Sequence, residues 1–435
     1  MRQPFILTSA MLLSRCLSAQ AEPPSQDPLS VHAQLTYQLQ GHGGFAAPYE
    51  GENSFENRRE IRGSFTTTIF LGRRLWPGGE VYANGEFFAG AGVSRVLGLA
   101  APPNGETYRV DSATLKANLA RAFFRQTWNL AGATEAVEDA QNLVAGWQSD
   151  RRLVLTLGKF SGTDVFDGNS YSHDPRTQFN NWSLWANAAW DYPADTRGYT
   201  WGVALEWIHE AWALRCGSLM EPREANQLEL DHDVRQARGE VIELSHDHDW
   251  AGRKGTVRVL AFRNRARMGV YGDALAVDPL APDVVATRAP GRTKRGLGLN
   301  LEQAFTADAG GFLRMGWNDG DTEAWAFTEV ERTISAGVSL GGTPWGRAKD
   351  RLGIGLASNG LGASHRAYLF AGGSGFMLGD GRLAYQAERV VDVYYAVALR
   401  GWATLSLEAQ RFANPAFNRD RGPLTVYGIR LHLQR

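Results

Sequence analysis

The feature that most constrains this chain is a period of two. Along most of its length, segments of about ten residues alternate apolar and polar side chains, and clusters of Gly, Pro, Asn and Asp separate them. In the segment Thr333 to Leu340, Ile334, Ala336, Val338 and Leu340 share one face, opposite Thr333, Ser335, Gly337 and Ser339. Leu297, Leu299 and Leu301 oppose Gly296, Gly298, Asn300 and Glu302. Thr425, Tyr427, Ile429, Leu431 and Leu433 oppose Arg430 and His432. Phe65, Thr67, Ile69 and Leu71 oppose Ser64, Thr66 and Thr68, and Tyr199, Trp201, Val203, Leu205 and Trp207 oppose Thr200, Gly202 and Glu206. Successive side chains of a strand point to opposite faces, so each segment predicts a strand with one apolar and one polar face. Less regular segments near 79–90, 121–130, 152–160, 211–219, 238–247, 255–264, 309–318, 350–359, 391–400 and 402–411 continue the series. The weakest candidates are 32–40 and 182–190.

Two all-β architectures satisfy this pattern. A soluble sandwich or propeller turns the apolar faces inward, whereas a transmembrane barrel turns them to lipid around a wet lumen. Three observations favour the barrel. The polar faces carry Gly, Ser, Thr, Asn, Arg and Glu. Aromatics collect at segment ends (Trp76, Trp128, Trp182, Trp190, Tyr192, Trp201, Trp345, Tyr394, Tyr395, Trp402), as interfacial girdles require. No repeat of propeller-blade length is present. The segments number 16 or 17, and antiparallel closure favours an even count, so the prediction is a transmembrane antiparallel barrel of 16 strands, with 18 the next candidate. A barrel this wide leaves an aqueous channel.

Composition agrees with that reading. Hydrophobic residues make up 43% of the 435 residues but are dispersed, with no apolar run of helix-spanning length beyond the N-terminus. Charges nearly balance, with Lys+Arg 45 against Asp+Glu 46, and no long stretch is basic, which disfavours nucleic acid as a partner. The basic residues are lopsided: Lys116, Lys159, Lys254, Lys294 and Lys349 are the only lysines, and the rest are arginines. A GC-rich genome accounts for such a bias; so does a surface that hydrogen-bonds hydroxyls or carboxylates through guanidinium forks.

The N-terminus reads as an export signal. Arg2 precedes the apolar stretch Phe5 to Leu13, which Arg15 follows, and Ala19-Gln20-Ala21 forms a small-x-small cleavage site. Cleavage after Ala21 gives a signal peptide 1–21, a flexible leader 22–30 and a barrel 31–435, and takes the net charge from −1 to −3. Cys16 leaves with the signal, so Cys216 has no disulfide partner.

Longer blocks carry a resemblance. Tyr171-Ser172-His173-Asp174-Pro175-Arg176-Thr177-Gln178-Phe179, then Trp190-Asp191-Tyr192-Pro193-Ala194-Asp195-Thr196-Arg197-Gly198-Tyr199-Thr200-Trp201-Gly202, look like the carbohydrate-selective porins of the OprB type. So do Leu299 to Gln303, Gly316 to Gly320, His365 to Leu369 with Gly372-Gly373, Leu378 to Gly381, and Ala413 to Pro423. These blocks span about 150 to 435, with a weaker likeness back to about 60. The resemblance implies a 16-stranded outer-membrane barrel passing sugars by passive diffusion, with extracellular loops folded into the channel. It implies no reaction and no cofactor, with sugars and outer-membrane lipid as partners and either a monomer or a homotrimer as the assembly. Two departures stand out. Such barrels usually end on an aromatic residue read by the insertion machinery, whereas this chain ends Leu433-Gln434-Arg435. Asp392 precedes Tyr394-Tyr395 where the family commonly has glutamate.

Parity then assigns lumen candidates. Arg62 faces inward with Ser64, Thr66 and Thr68; Glu80, Asn84 and Glu86 do so on the next segment, and Arg121 and Arg125 on the one after. Glu206, Asn300, Glu302, Arg314, Asn318, Arg430 and His432 follow by the same logic. Facing Arg and Glu would make a polar constriction where weak, repeated contacts replace water around a sugar. The polar stretch Asp164 to Asn181, with His173, Asp174 and Arg176, is a constriction-loop candidate; a rigid turn at Asp174-Pro175 is the alternative. His246 and His248 share a strand face, yet no third metal ligand is identifiable. No enzyme motif is present. A porin without sugar preference, an anion-preferring one, and a polysaccharide export barrel are the alternative functions.

Overall fold

The structure is a computed structural model, and it describes residues 27–106 and 112–435. The expected signal peptide and residues 22–26 of the leader lie outside the described residues. The strands are β1 (Leu29–His42), β2 (Glu60–Trp76), β3 (Gly79–Gly90), β4 (Ser112–Asn129), β5 (Thr134–Val137), β6 (Gly146–Ser149), β7 (Arg151–Phe160), β8 (Thr200–His209) and β9 (Trp212–Met220). They continue with β10 (Arg238–Trp250), β11 (Arg253–Ala266), β12 (Arg292–Ala304), β13 (Ala309–Asn318), β14 (Arg332–Gly342), β15 (Arg347–Gly360), β16 (Glu388–Arg400), β17 (Ala403–Ala413) and β18 (Leu424–Gln434). All except β5 and β6 form one closed antiparallel barrel, in which each strand pairs with its neighbours in sequence and β1 closes on β18. That is the 16-stranded architecture the alternation predicts. β1 is the expected weak segment 32–40, extended at both ends. Segment 182–190 is not a strand: it holds the short helix α1 (Trp182–Trp185) and lies inside the barrel.

The register follows the alternation. Thr66 lies between Thr36 of β1 and Phe88 of β3, and a slip of one residue would turn every apolar side chain of β2 into the lumen. Outward residues such as Leu71, Leu244, Val259, Leu297, Ile334, Leu407 and Ile429 are exposed, and inward Ser64, Thr66, Thr68, Ser335 and Gln410 are buried. The exposed apolar surface is therefore a band around the outside. Among the described residues, no helix is long and apolar enough to cross a membrane.

The two ends of the barrel differ. At one end the connections are short, apart from 130–150 between β4 and β7; Ala251 and Gly252, both with positive φ, form the two-residue turn from β10 to β11. At the other end they are long: L1 (43–59), L2 (91–111), L3 (161–199), L4 (221–237), L5 (267–291), L6 (319–331), L7 (361–387) and L8 (414–423). Long loops face the exterior and short turns the periplasm in barrels of this kind. L5 contains α2 (Tyr271–Val277) and L7 contains α3 (Ala363–Phe370). Exposed Trp76, Trp128, Trp207, Trp212, Trp250, Trp345 and Trp402 ring the short-turn end. Four of the expected girdle residues are elsewhere: Trp182, Trp190, Tyr192 and Tyr394 are buried inside the barrel, where they pack against loops.

Candidate solute channel and its constriction

L3 decides how much of the lumen stays open. It leaves β7 at Ser161, where Asp164 accepts the Ser161 N–H at 2.9 Å, and then crosses the barrel. On the far wall, Asn300 of β12 donates to the Asp167 carboxylate at 2.6 Å, and Glu302 accepts from Ser170. Arg314 of β13 is fully buried; it donates to Asp167, to the Leu184 carbonyl and to the Ser172 carbonyl. Beyond the crossing, Arg430 of β18 donates to the carbonyls of Pro175 and Gln178, both at 2.7 Å. The wall is cut back to receive the loop. A Cβ on Gly316 would stand 2.0 Å from the Asn187 amide, and one on Gly355 would meet Leu184 and Phe179 at 2.9 Å. L3 is thus a packed plug against β12–β16, with Phe179 edge-on to Phe312 and Tyr394.

The same crossing brings opposite charges together on the other side. Arg121 of β4 makes a bidentate pair with Asp164, at 2.7 and 2.6 Å. Arg176 of L3 donates to Glu106 of L2 at 2.8 Å and stands 3.8 Å from Glu86 of β3. Glu86 also accepts from Arg197 and from the Tyr199 hydroxyl, both at 3.0 Å. Three guanidinium groups and three carboxylates therefore meet where L2 and L3 approach β3 and β4. Arg121, Asp164 and Arg176 keep 13%, 28% and 18% of their side chains accessible, so the cluster borders open lumen. Burial pushes the Glu106 carboxyl up despite Arg176. Burial acts on Asp164 and Asp174 in the same sense, but Arg121 with the Ser161 N–H, and Arg176 with His432 and the Thr177 hydroxyl, together outweigh it and hold these carboxyls below their ordinary range. His173 makes no such ion pair: its Nε2 meets the Thr163 carbonyl at 3.0 Å, and Asp174 accepts from Thr177 and the Arg176 N–H, which fixes the bend of L3.

The remaining lumen candidates separate by height. Arg62 sits at the external mouth, paired with Glu60 at 2.5 Å and about two-fifths exposed. Glu206 is in the lower half, where Arg215 bridges it at 2.9 Å to Glu243 at 3.2 Å. Arg125 lies near the periplasmic mouth and donates to the Asn142 carbonyl. That carbonyl belongs to a feature the alternation does not predict. Residues 130–150, carrying the hairpin β5–β6, turn back over the mouth, and Arg74 donates to the Ala145 carbonyl while Tyr82 accepts from the Val144 N–H. His32 and Gln34 of β1 reach Asp139 and Gln141 from the other side. Asn300, Glu302 and Arg314 are inward as parity requires, but the plug covers them; they hold L3 and do not line open channel. His246 and His248 face outward, the first stacked on Trp212 and the second bonded to Gln303.

A family model for the carbohydrate-selective porins of the OprB family matches residues 64–434. This chain belongs to the OprB family. Among solved structures, the Pseudomonas putida OprB determined at high pH superposes with a TM-score of 0.71 at 15% identity, covering 94% of both chains. The same protein at low pH gives 0.49 at 11% identity, over 94% of this chain and 93% of that one. A loop-deleted Vibrio cholerae OmpT gives 0.48 at 11% identity, over 94% and 99%. Among curated proteins, none matches the sequence. The chain is therefore an outer-membrane carbohydrate porin, and its lumen is the route for sugars.

Proposed function

We propose that this porin passes mono- and oligosaccharides by passive diffusion, and that the cluster of Arg121, Arg176 and Arg197 with Asp164, Glu86 and Glu106 is where it discriminates. The observation that carries this reading is the balance of three guanidinium groups against three carboxylates, partly accessible, on the border of the lumen. A sugar hydroxyl both donates and accepts. Paired forks offer both partners within one molecule's reach, so water lost from the sugar is replaced in either sense. The balance also argues against an anion-preferring pore, since no excess positive charge is left in the cluster among the described residues. Each contact is weak and shared, which lets the solute leave. The driving force is the concentration gradient. One chain builds the whole constriction, so a monomer and a homotrimer would have the same preference.

The test is liposome swelling with a graded sugar series beside amino acids of matched size. Sugars should enter faster at equal size, and the rate should fall steeply with chain length. Equal rates for both solute classes would reject sugar selectivity and leave a general pore. Replacing Arg62, Glu86, Arg121 and Arg125 together by alanine should raise ionic conductance and blunt the sugar preference.

A further inference from the structure

The outer surface carries a second charged feature, unconnected with the lumen. At the long-loop ends of β10, β11, β12, β14, β16 and β17, within three residues of the strand's end, at least one outward position is arginine. Arg238 of β10 lies directly opposite Arg265 of β11, and Arg263 lies directly opposite Arg295 of β12. Arg332 of β14 faces Trp317, one outward position lower; Arg389 of β16 and Arg411 of β17 each step down once more. Strands in a closed barrel are tilted and staggered, and the strand ends step down in the same direction, so this series runs level around the wall. Each arginine stands just above the apolar band, with Leu297, Ile334 and Val391 as the next outward residues on three of the strands, all exposed.

These charges are poorly neutralised. Glu240 serves Arg238 and Arg263. No carboxylate among the described residues pairs with Arg265, Arg295, Arg332, Arg389 or Arg411. Like charges directly opposite on paired strands are destabilising, and two such pairs occur side by side. The short-turn end has exposed arginines too (Arg73, Arg253 and Arg400), but they stand singly among the tryptophans of its girdle. A run of unpaired guanidinium groups at the height of the outer leaflet's head groups calls for an external anion, and a planar fork suits phosphate.

We propose that this belt is a binding surface for the phosphate groups of the outer leaflet's glycolipid, lipid A. The proposal rests on the outer-membrane placement given by the family, and it is independent of solute choice.

The test is native mass spectrometry of the folded mature protein in detergent with diphosphoryl lipid A, with monophosphoryl lipid A and with phosphatidylglycerol. Diphosphoryl lipid A should be retained in preference to the other two. R295Q/R332Q/R389Q/R411Q should lower its retention by about tenfold or more, whereas R73Q/R253Q/R400Q should leave it nearly unchanged. Glucose entry in the swelling assay should persist in both variants, which shows that the barrel is folded and separates this proposal from the one on sugar choice. Wild-type retention by the belt variant would overturn the proposal. So would equal retention of all three lipids, which would mean unspecific attraction at an interface. Loss of a protomer–protomer complex in the belt variant, with lipid retention unchanged, would make the belt a contact between copies and overturn it equally.

Discussion

Arg121 and Asp164 illustrate how little covalent change would alter the pore. Their two parallel hydrogen bonds fasten the start of L3 to β4, and their charges cancel beside Glu86 and Glu106. R121A removes one cation from a balanced set and leaves the cluster net negative. Single-channel recordings under a salt gradient should then shift toward cation selectivity with a larger conductance, and the swelling preference for sugars over matched amino acids should shrink. R121K keeps the charge but not the bidentate fork, so it should keep ion selectivity near the wild type and lose part of the sugar preference. An unchanged reversal potential in R121A would place the cluster outside the ion path. Arg314 is the contrasting case. Its guanidinium is fully buried, and it holds Asp167 together with two carbonyls of the plug. R314M leaves the buried Asp167 carboxylate without its counter-charge and the Ser172 carbonyl without its donor, at a cost of about 3–5 kcal/mol. The expected result is a lower thermal midpoint and a larger, noisier conductance as L3 loosens. A quiet channel with the wild-type midpoint would mean that the loop is held by its aromatic packing alone.

At the scale of elements, the periplasmic hairpin makes the sharpest prediction. Leu130 N–H donates to the Arg151 carbonyl at 2.8 Å, so residues 131–150 leave and re-enter the wall at neighbouring points. Replacing them by Asn-Gly should spare the pairing of Asn129 with Arg152 and the closed barrel. Conductance should rise while the sugar preference set at L3 is kept; unchanged conductance would mean that the hairpin stands clear of the solute's path. No sequence signal announces this element, because its four-residue strands are too short to show a period. The barrel strands were legible for the opposite reason. Each is long and has lipid on one side and polar groups on the other, so parity placed Arg62, Glu86, Arg121 and Glu206 inward from local pattern alone. Parity cannot say what covers an inward residue. Glu206 and Arg314 obey the same rule, and only the course of L3, fixed by contacts more than a hundred residues apart in sequence, leaves one partly open and buries the other. Segment 182–190 departs for a related reason: its tryptophans pack against loop aromatics such as Phe166, Tyr192 and Phe327 inside the barrel, and in sequence alone that looks like a girdle.

At the scale of the whole molecule, the barrel and its caps titrate differently. The wall is closed by hydrogen bonds from β1 to both β2 and β18, which depend little on pH. The external cap depends on a buried carboxyl. Glu329 of L6 accepts the backbone N–H groups of Met377 and Leu378 of L7, at 3.2 and 2.7 Å, with Gly375 packed against its other oxygen. Nearby, Glu331 accepts from His365 of α3, which stacks on Tyr271 of α2 at 4.2 Å, so L5, L6 and L7 meet at this point. Burial pushes the Glu329 carboxyl from 4.5 to about 7, although His365 and the two N–H groups oppose the rise. The folded cap then holds a proton that the unfolded chain has released between these values. Stability from this group is full below pH 4.5, declines as pH rises toward 7, and is lost above it, a difference of up to about 3 kcal/mol. Hydrogen exchange over 323–331 and 373–379 should therefore be slower at pH 5 than at pH 8, while exchange in the barrel strands, corrected for intrinsic rates, changes little. E329Q imitates the protonated side chain and should remove most of that difference, remaining protected at pH 8. Equal protection of the two segments at both pH values in the wild type would show that the cap is not held by this carboxyl. Protection that varies with pH equally in the cap and the strands would place the titration in the barrel as a whole.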